Sequence, residues 1–167
     1  DILRELPVTL RKNDFKVTAV FADQELIAIE AGDTTEVRYG IAFDLGTTTV
    51  VATLLDLNTG APASVKSMLN KQQPFGADVI TRISATMMDP EGLFRLRTLA
   101  QETLDQLAKE VCEEAGIDPR NVYEVALAGN ATMTQILLGI DPEPLGVAPF
   151  IMATADYQPV AATELGL

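Results

Sequence analysis

Asp44, Gly46, Thr47, Thr48 and Thr49 are the residues of this chain whose types and spacing point most directly to chemistry. They lie in Tyr39-Gly40-Ile41-Ala42-Phe43-Asp44-Leu45-Gly46-Thr47-Thr48-Thr49-Val50-Val51. An apolar strand ends in an acid, passes through a tight turn of glycine and threonine, and re-enters an apolar strand. Gly46 lets backbone N–H groups approach an anion closely. The threonine hydroxyls add donors, and Asp44 can hold a hydrated Mg2+ beside phosphates, because magnesium favours one or two carboxylates plus retained waters. The pattern is that of a phosphate-cradling hairpin. It is neither a Walker loop nor a dinucleotide fingerprint, since G-x-x-x-x-G-K and G-x-G-x-x-G are both absent.

A second pair, Gly129-Asn130, follows the apolar run Val122–Ala128 and precedes Ala131-Thr132-Met133. A strand meeting a helix N-terminus favours anions and nearby polar contacts. Asn130 is both a candidate site residue and a natural helix N-cap. Asn70, Gln72 and Arg82 form a third set. They are read either as lining a nucleotide or partner surface, or as ordinary loop hydrogen bonding and a solvated helix face.

Composition narrows the classes. The chain has 167 residues, 24 acidic and 12 basic, for a net charge of −12. Such a surface repels nucleic acid and anionic membranes. No run reaches the roughly 18 apolar residues of a membrane span, and no secretory signal pattern is visible. There is no histidine, so Ser-His-Asp and Cys-His catalysis and histidine metal ligation are excluded within this chain. One cysteine rules out an internal disulfide and an iron–sulfur or zinc cage made by this chain alone. A reducing, cytoplasmic setting fits that usage.

The elements that position these residues can be read from periodicity. Residues 1–38 read as a short helix, limited by Pro7, and two strands near 15–21 and 25–30. This piece is too small for its own core and is expected to be the end of a preceding domain or a linker extension. From residue 39, strands at 39–45, 49–57 and 63–69 form an antiparallel meander, with Asn58-Thr59-Gly60 as the second turn. A helix over 76–88 faces Val79, Ile80 and Ile83 inward, and Met87-Met88 fill a gap at its end. Asp89-Pro90-Glu91 reads as the start of a long helix running to about 115 and stopped by Gly116. Its apolar stripe includes Leu96, Leu104, Leu107 and Val111, with Cys112 as a buried inert thiol beside it. A buried strand at 122–128 and a helix at 131–138 follow. Residues 141–167 lack periodicity and read as irregular and truncated.

Three antiparallel strands, a helical crossover and a strand leading to a helix give an α/β fold with a mixed sheet. That order resembles a ribonuclease-H-like half-domain of the actin, sugar-kinase and heat-shock-chaperone ATPase superfamily, and Phe43–Thr49 resembles its first phosphate motif. Three further motifs narrow the resemblance. They are Asn70-Lys71-Gln72 with Phe75-Gly76-Ala77-Asp78-Val79-Ile80-Thr81-Arg82-Ile83, then Ala128–Thr134 with Leu137-Leu138-Gly139-Ile140-Asp141-Pro142, and Leu145-Gly146-Val147-Ala148-Pro149-Phe150. Together they resemble the reductive activators of corrinoid-dependent enzymes. Gln135 departs from the histidine expected there.

The resemblance implies a parent protein with an N-terminal [2Fe–2S] ferredoxin domain, a linker, a middle domain and an actin-like ATPase domain. Such proteins use ATP to drive a low-potential electron onto an inactive Co(II) corrinoid protein, restoring Co(I). It implies Mg2+ held by Asp44 through water, and phosphate contacts from Gly46, Thr47, Thr48 and Thr49 with Gly129 and Asn130 nearby. Asn130 is the candidate to orient the attacking water. The cluster cysteines, the second phosphate loop and the adenine-binding segment are not in this chain. The expected assignment is therefore a fragment, with 1–38 as the end of the middle domain or a linker extension, 39–167 as the first half of the ATPase domain, and an exposed apolar face that favours a homodimer. A small-molecule kinase of the same superfamily and a non-enzymatic actin-like scaffold remain the alternative readings.

Overall fold

The computed structural model describes residues 2–167. They fall into two compact units, divided between Arg38 and Tyr39.

The first unit is a helix and a hairpin. Helix α1 (Ile2–Lys12) packs on β2 (Glu25–Ala31), which pairs antiparallel with β1 (Val17–Ala22). Pro7 does not limit α1, contrary to the sequence reading; the helix continues through it to Lys12. The N–H that proline lacks would have met the carbonyl of Leu3, a residue 82% exposed, where water can take its place.

The second unit is built on a four-stranded sheet in the order β5-β4-β3-β6. Strands β3 (Tyr39–Leu45), β4 (Thr49–Asp56) and β5 (Pro62–Leu69) form the antiparallel meander. Strand β6 (Val122–Gly129) adds parallel to β3. Alternation along the strands sends Ile41, Phe43, Leu45, Val50, Ala52 and Leu54 to one face, where all are buried. Helix α3 (Gly92–Ala115) covers that face with Leu96, Ala100, Leu104, Leu107 and Val111, spaced three and four apart. Helix α4 (Ala131–Leu138) adds Met133, Ile136 and Leu137 to the same core. Cys112 lies in it too, with its thiol pKa pushed up by burial. The fold is the mixed α/β half-domain expected from the element order. No described helix is long and apolar enough to cross a membrane.

Helix α2 (Val79–Met88) departs from the sequence reading in start and phase. It begins three residues late because Asp78 caps it, accepting from Thr81 N at 2.8 Å while Asp78 N donates to Thr81 Oγ1 at 3.3 Å. That start turns Arg82 and Ile83 inward and leaves Ile80 56% exposed. Met87 and Met88 are also exposed and fill no gap. The long helix begins at Gly92 rather than at Pro90. Asp89 instead closes the α2–α3 turn, accepting from Glu91 N on its side chain and from Gly92 N on its backbone. Beyond α4, a single helical turn α5 (Glu143–Gly146) and a 3-10 turn at Ala162–Leu165 interrupt otherwise irregular chain.

The Asp78 cap makes a pH prediction. Its hydrogen bonds, first from the Thr81 backbone N–H and then from the Thr81 hydroxyl, hold its pKa below the usual carboxylate range. A carboxylate depressed in the folded state stabilises fully above its unfolded pKa of about 4, and that contribution is lost as pH falls through the lower folded value. Asp78→Ser keeps a cap without a titrating group. The melting temperature should therefore fall less in Asp78→Ser than in the unaltered chain between about pH 6 and about pH 3. Parallel slopes by circular dichroism would show that the cap charge contributes nothing.

Candidate functional site

The parallel register sets Asp44 opposite Ala128 and Leu45 opposite Gly129. The C-terminal ends of β3 and β6 therefore lie side by side, and the chain leaves both at the same edge of the sheet. Because Phe43 and Leu45 enter the core, the Asp44 side chain stands on the opposite, exposed face. It has no hydrogen bond or ion pair to another described residue. Thr48, Thr49, Gly129 and Asn130 are exposed around it, and Gly46 and Thr47 are half-buried.

Asn130 joins the two strand ends. Its side-chain oxygen accepts from Met133 N at 3.0 Å, capping α4, and its Nδ2 donates to Thr47 Oγ1 at 3.0 Å. Site residue and helix cap are thus one residue in both roles. One N–H and one oxygen lone pair of the amide stay available. The structure brings Asp44, Gly46, Thr47 and Thr48 together with Gly129 and Asn130. Thr49 opens β4 beside them.

Asn70, Gln72 and Arg82 sit behind this turn, and they correct the sequence reading. They line no surface: Asn70 is 1% exposed, and Gln72 and Arg82 are 0%. Instead they hold the turn from within. Asn70 Nδ2 donates to Gly46 O at 2.9 Å, Arg82 Nη2 to Thr47 O, and Asn70 N to Thr48 O at 2.9 Å. Two consecutive carbonyls, those of Gly46 and Thr47, are thereby held by buried side chains, while Thr48 O continues the β4–β5 ladder. In a trans peptide the N–H lies opposite the C=O. The N–H groups of Thr47 and Thr48 consequently face outward, and neither donates to a described backbone group. Gln72 completes the brace, accepting from Arg82 Nη1 at 2.8 Å and donating to Leu96 O at 2.8 Å. The sequence carried a signal for this: Asp78 and Thr81 at capping-box spacing fix the helix phase, which places Arg82 inside.

Two N–H donors without a backbone acceptor, threonine hydroxyls, and an unpartnered carboxylate at a strand end form a surface suited to a metal-bound anion. Gly129 keeps the strand ends close. A Cβ on it would meet Thr134 Oγ1 at 3.2 Å and Leu45 O at 3.3 Å.

Comparison with known proteins gives this arrangement a family. Residues 39–167 match the family model described as the RACo middle region, and residues 1–36 match the RACo linker region. The chain is 37% identical over 169 aligned positions to the corrinoid activation enzyme RamQ of Eubacterium limosum, covering 90% of this chain and 28% of that protein. It also superposes on a solved structure, a reductive activator for corrinoid, iron-sulfur protein. That match has a TM-score of 0.87 at 36% identity, over 99% of this chain and 27% of the solved one. The chain thus spans little more than a quarter of the length of these relatives. It belongs to the RACo family of reductive activators, with residues 1–36 as the linker region and residues 39–167 as the middle region.

Proposed function

We propose that residues 39–167 form one half of the ATP site of an actin-like ATPase, within a longer protein that reduces inactive Co(II) corrinoid proteins to Co(I). The observation that carries the phosphate assignment is the anchoring of the carbonyls of Gly46 and Thr47 by the buried side chains of Asn70 and Arg82. An ordinary hairpin needs no such brace. Here it fixes outward N–H donors in place before any ligand arrives, the arrangement that makes electrostatic stabilisation of phosphoryl transfer effective.

In this reading Gly46, Thr47 and Thr48 donate to β- and γ-phosphate oxygens, Thr49 adds a hydroxyl, and Gly129 permits close approach. Asn130 orients the attacking water with the N–H and lone pair that its two existing bonds leave free. Asp44 holds Mg2+ through water. No cluster of three or more metal-ligating side chains occurs among the described residues, so a single carboxylate with retained waters is the coordination this chain offers. Magnesium bound there would neutralise charge developing on the phosphate oxygens.

The second half of the nucleotide site, the adenine-binding segment and a [2Fe–2S] domain belong to other parts of the parent protein. Its partners are a corrinoid protein and a low-potential electron donor, its setting is cytoplasmic, and its assembly is a homodimer. Hydrolysis changes the closure of the two ATPase halves, and that hinge motion couples to the docked corrinoid protein.

The test uses the full protein that carries this segment, a Co(II) corrinoid protein and a low-potential reductant, with Co(I) followed by absorbance. Co(I) that appears only with ATP supports the reading. Hydrolysis indifferent to the corrinoid protein, with phosphate delivered to a small acceptor, would replace it with a kinase.

A further inference from the structure

We propose that Arg82 supplies, from behind the turn, the positive charge of this half of the phosphate site. The inference rests on the phosphate reading above and assigns a charge-supplying and positioning role to a residue that touches no ligand.

The exposed parts of the site lack a cation. Neither 44–49 nor 128–131 contains lysine or arginine, and Asp44 adds a negative charge. Yet a fully buried guanidinium lies one peptide away. All its partners are neutral: Gly76 O at 3.1 Å from Nε, Gln72 Oε1 at 2.8 Å and Met133 Sδ at 3.0 Å from Nη1, and Thr47 O from Nη2. It takes part in none of the ion pairs among the described residues. Asp78, the acid that acts on it electrostatically, is exposed and already bonded to Thr81.

Burying a cation without an acid is costly, and a neutral side chain of similar size would spare that cost. The arrangement gains from the charge when an anion sits across the Thr47–Thr48 peptide. Arg82 donates to Thr47 O, which polarises that peptide and strengthens Thr48 N–H as a donor on the other side. Buried charge is also screened less by salt than a surface lysine would be. The ligand therefore carries the counter-charge that the protein omits, and a di- or triphosphate fits better than a monoanion.

Arg82→Lys and Arg82→Gln both retain a donor near Thr47 O and differ in charge. Binding of Mg2+-pyrophosphate and of adenosine to the full protein, measured by calorimetry, separates the roles. We expect Arg82→Gln to bind pyrophosphate about tenfold or more weakly than Arg82→Lys, with adenosine binding equal in the two. Equal pyrophosphate binding in the two variants overturns the proposal and leaves Arg82 a brace. Should either variant fail to fold, Gln72→Glu provides the second measurement, because it keeps an acceptor for Arg82 while cancelling its charge. Pyrophosphate binding weaker in folded Gln72→Glu than in Gln72→Leu, which loses the same donor to Leu96 O without adding charge, supports the proposal, and equal binding in the two overturns it. An unaltered protein that binds adenosine nucleotides but gains nothing from their phosphates sinks the phosphate reading itself, and this inference with it. Phosphate-dependent binding in that protein, with equal binding by the Arg82 variants, sinks this inference alone.

Discussion

Asp44→Asn in the full protein should lower ATP-driven Co(I) formation by roughly 10²- to 10³-fold, the scale on which metal-assisted charge stabilisation acts in phosphoryl transfer. The melting temperature should stay unchanged. The two expectations come from the same geometry. Asp44 is held through its backbone between β4 and β6, facing Val51 on one side and Ala128 on the other. Asparagine preserves those ladders. The carboxylate itself has no partner among the described residues, so nothing in the fold depends on its charge. On the proposed reading, what would be lost is the anionic ligand for hydrated magnesium, for which the described residues offer no replacement cluster. Single-turnover hydrolysis with ATP and Mg2+, read beside Co(I) absorbance, checks this. A variant that hydrolyses ATP and forms Co(I) at the normal rate would remove the hairpin from the catalytic site. A variant that is inactive and also unstable would make Asp44 a structural residue.

Much of the geometry of this candidate site was legible in the sequence because it rests on strong local signals. Apolar alternation at 39–45 and 49–56 fixes two strands, and the Gly-Thr turn between them leaves one face for Asp44. Asn130 and Gly139 bracket α4 as cap and stop. The approach of Gly129-Asn130 to Thr47 then follows from topology, since parallel neighbours such as β3 and β6 end at the same edge. The brace behind the turn was harder to read. Arginine inside a helix reads as solvated because burial of its charge is unfavourable. An isoleucine two positions earlier competes for the inward face. The capping box at Asp78 and Thr81 overrides that preference by setting the helix phase, and Thr47 O, Gln72 and Gly76 O satisfy the guanidinium. Asp89-Pro90 misleads for a related reason. An aspartate before proline suits a turn as well as an N-cap, and here the sharp α2–α3 turn takes it.

Gly46→Ala should disable the proposed phosphate site, whereas Gly60→Ala, at the other end of β4, should leave it intact. A Cβ on Gly46 would lie 2.3 Å from Thr49 O, a backbone atom that cannot rotate away. Relieving the clash must move Gly46 or Thr49, and with them the carbonyls that Asn70 and Arg82 hold. Overpacking of this kind costs about 1–3 kcal/mol. Binding should suffer more than stability, because the outward N–H groups lose their direction as the brace slips. Gly60 has the opposite character. Its φ of +73° strains an alanine, but a Cβ there would meet nothing within 4 Å. The cost should stay near 1 kcal/mol, confined to an exposed turn. Thermal melts and Mg2+-pyrophosphate titrations of both variants in the full protein decide the matter. Pyrophosphate affinity retained in Gly46→Ala would mean that the turn tolerates movement, so a preset backbone cradle could not be what binds phosphate. Affinity lost equally in both variants would trace the effect to general softening of β4 rather than to the turn.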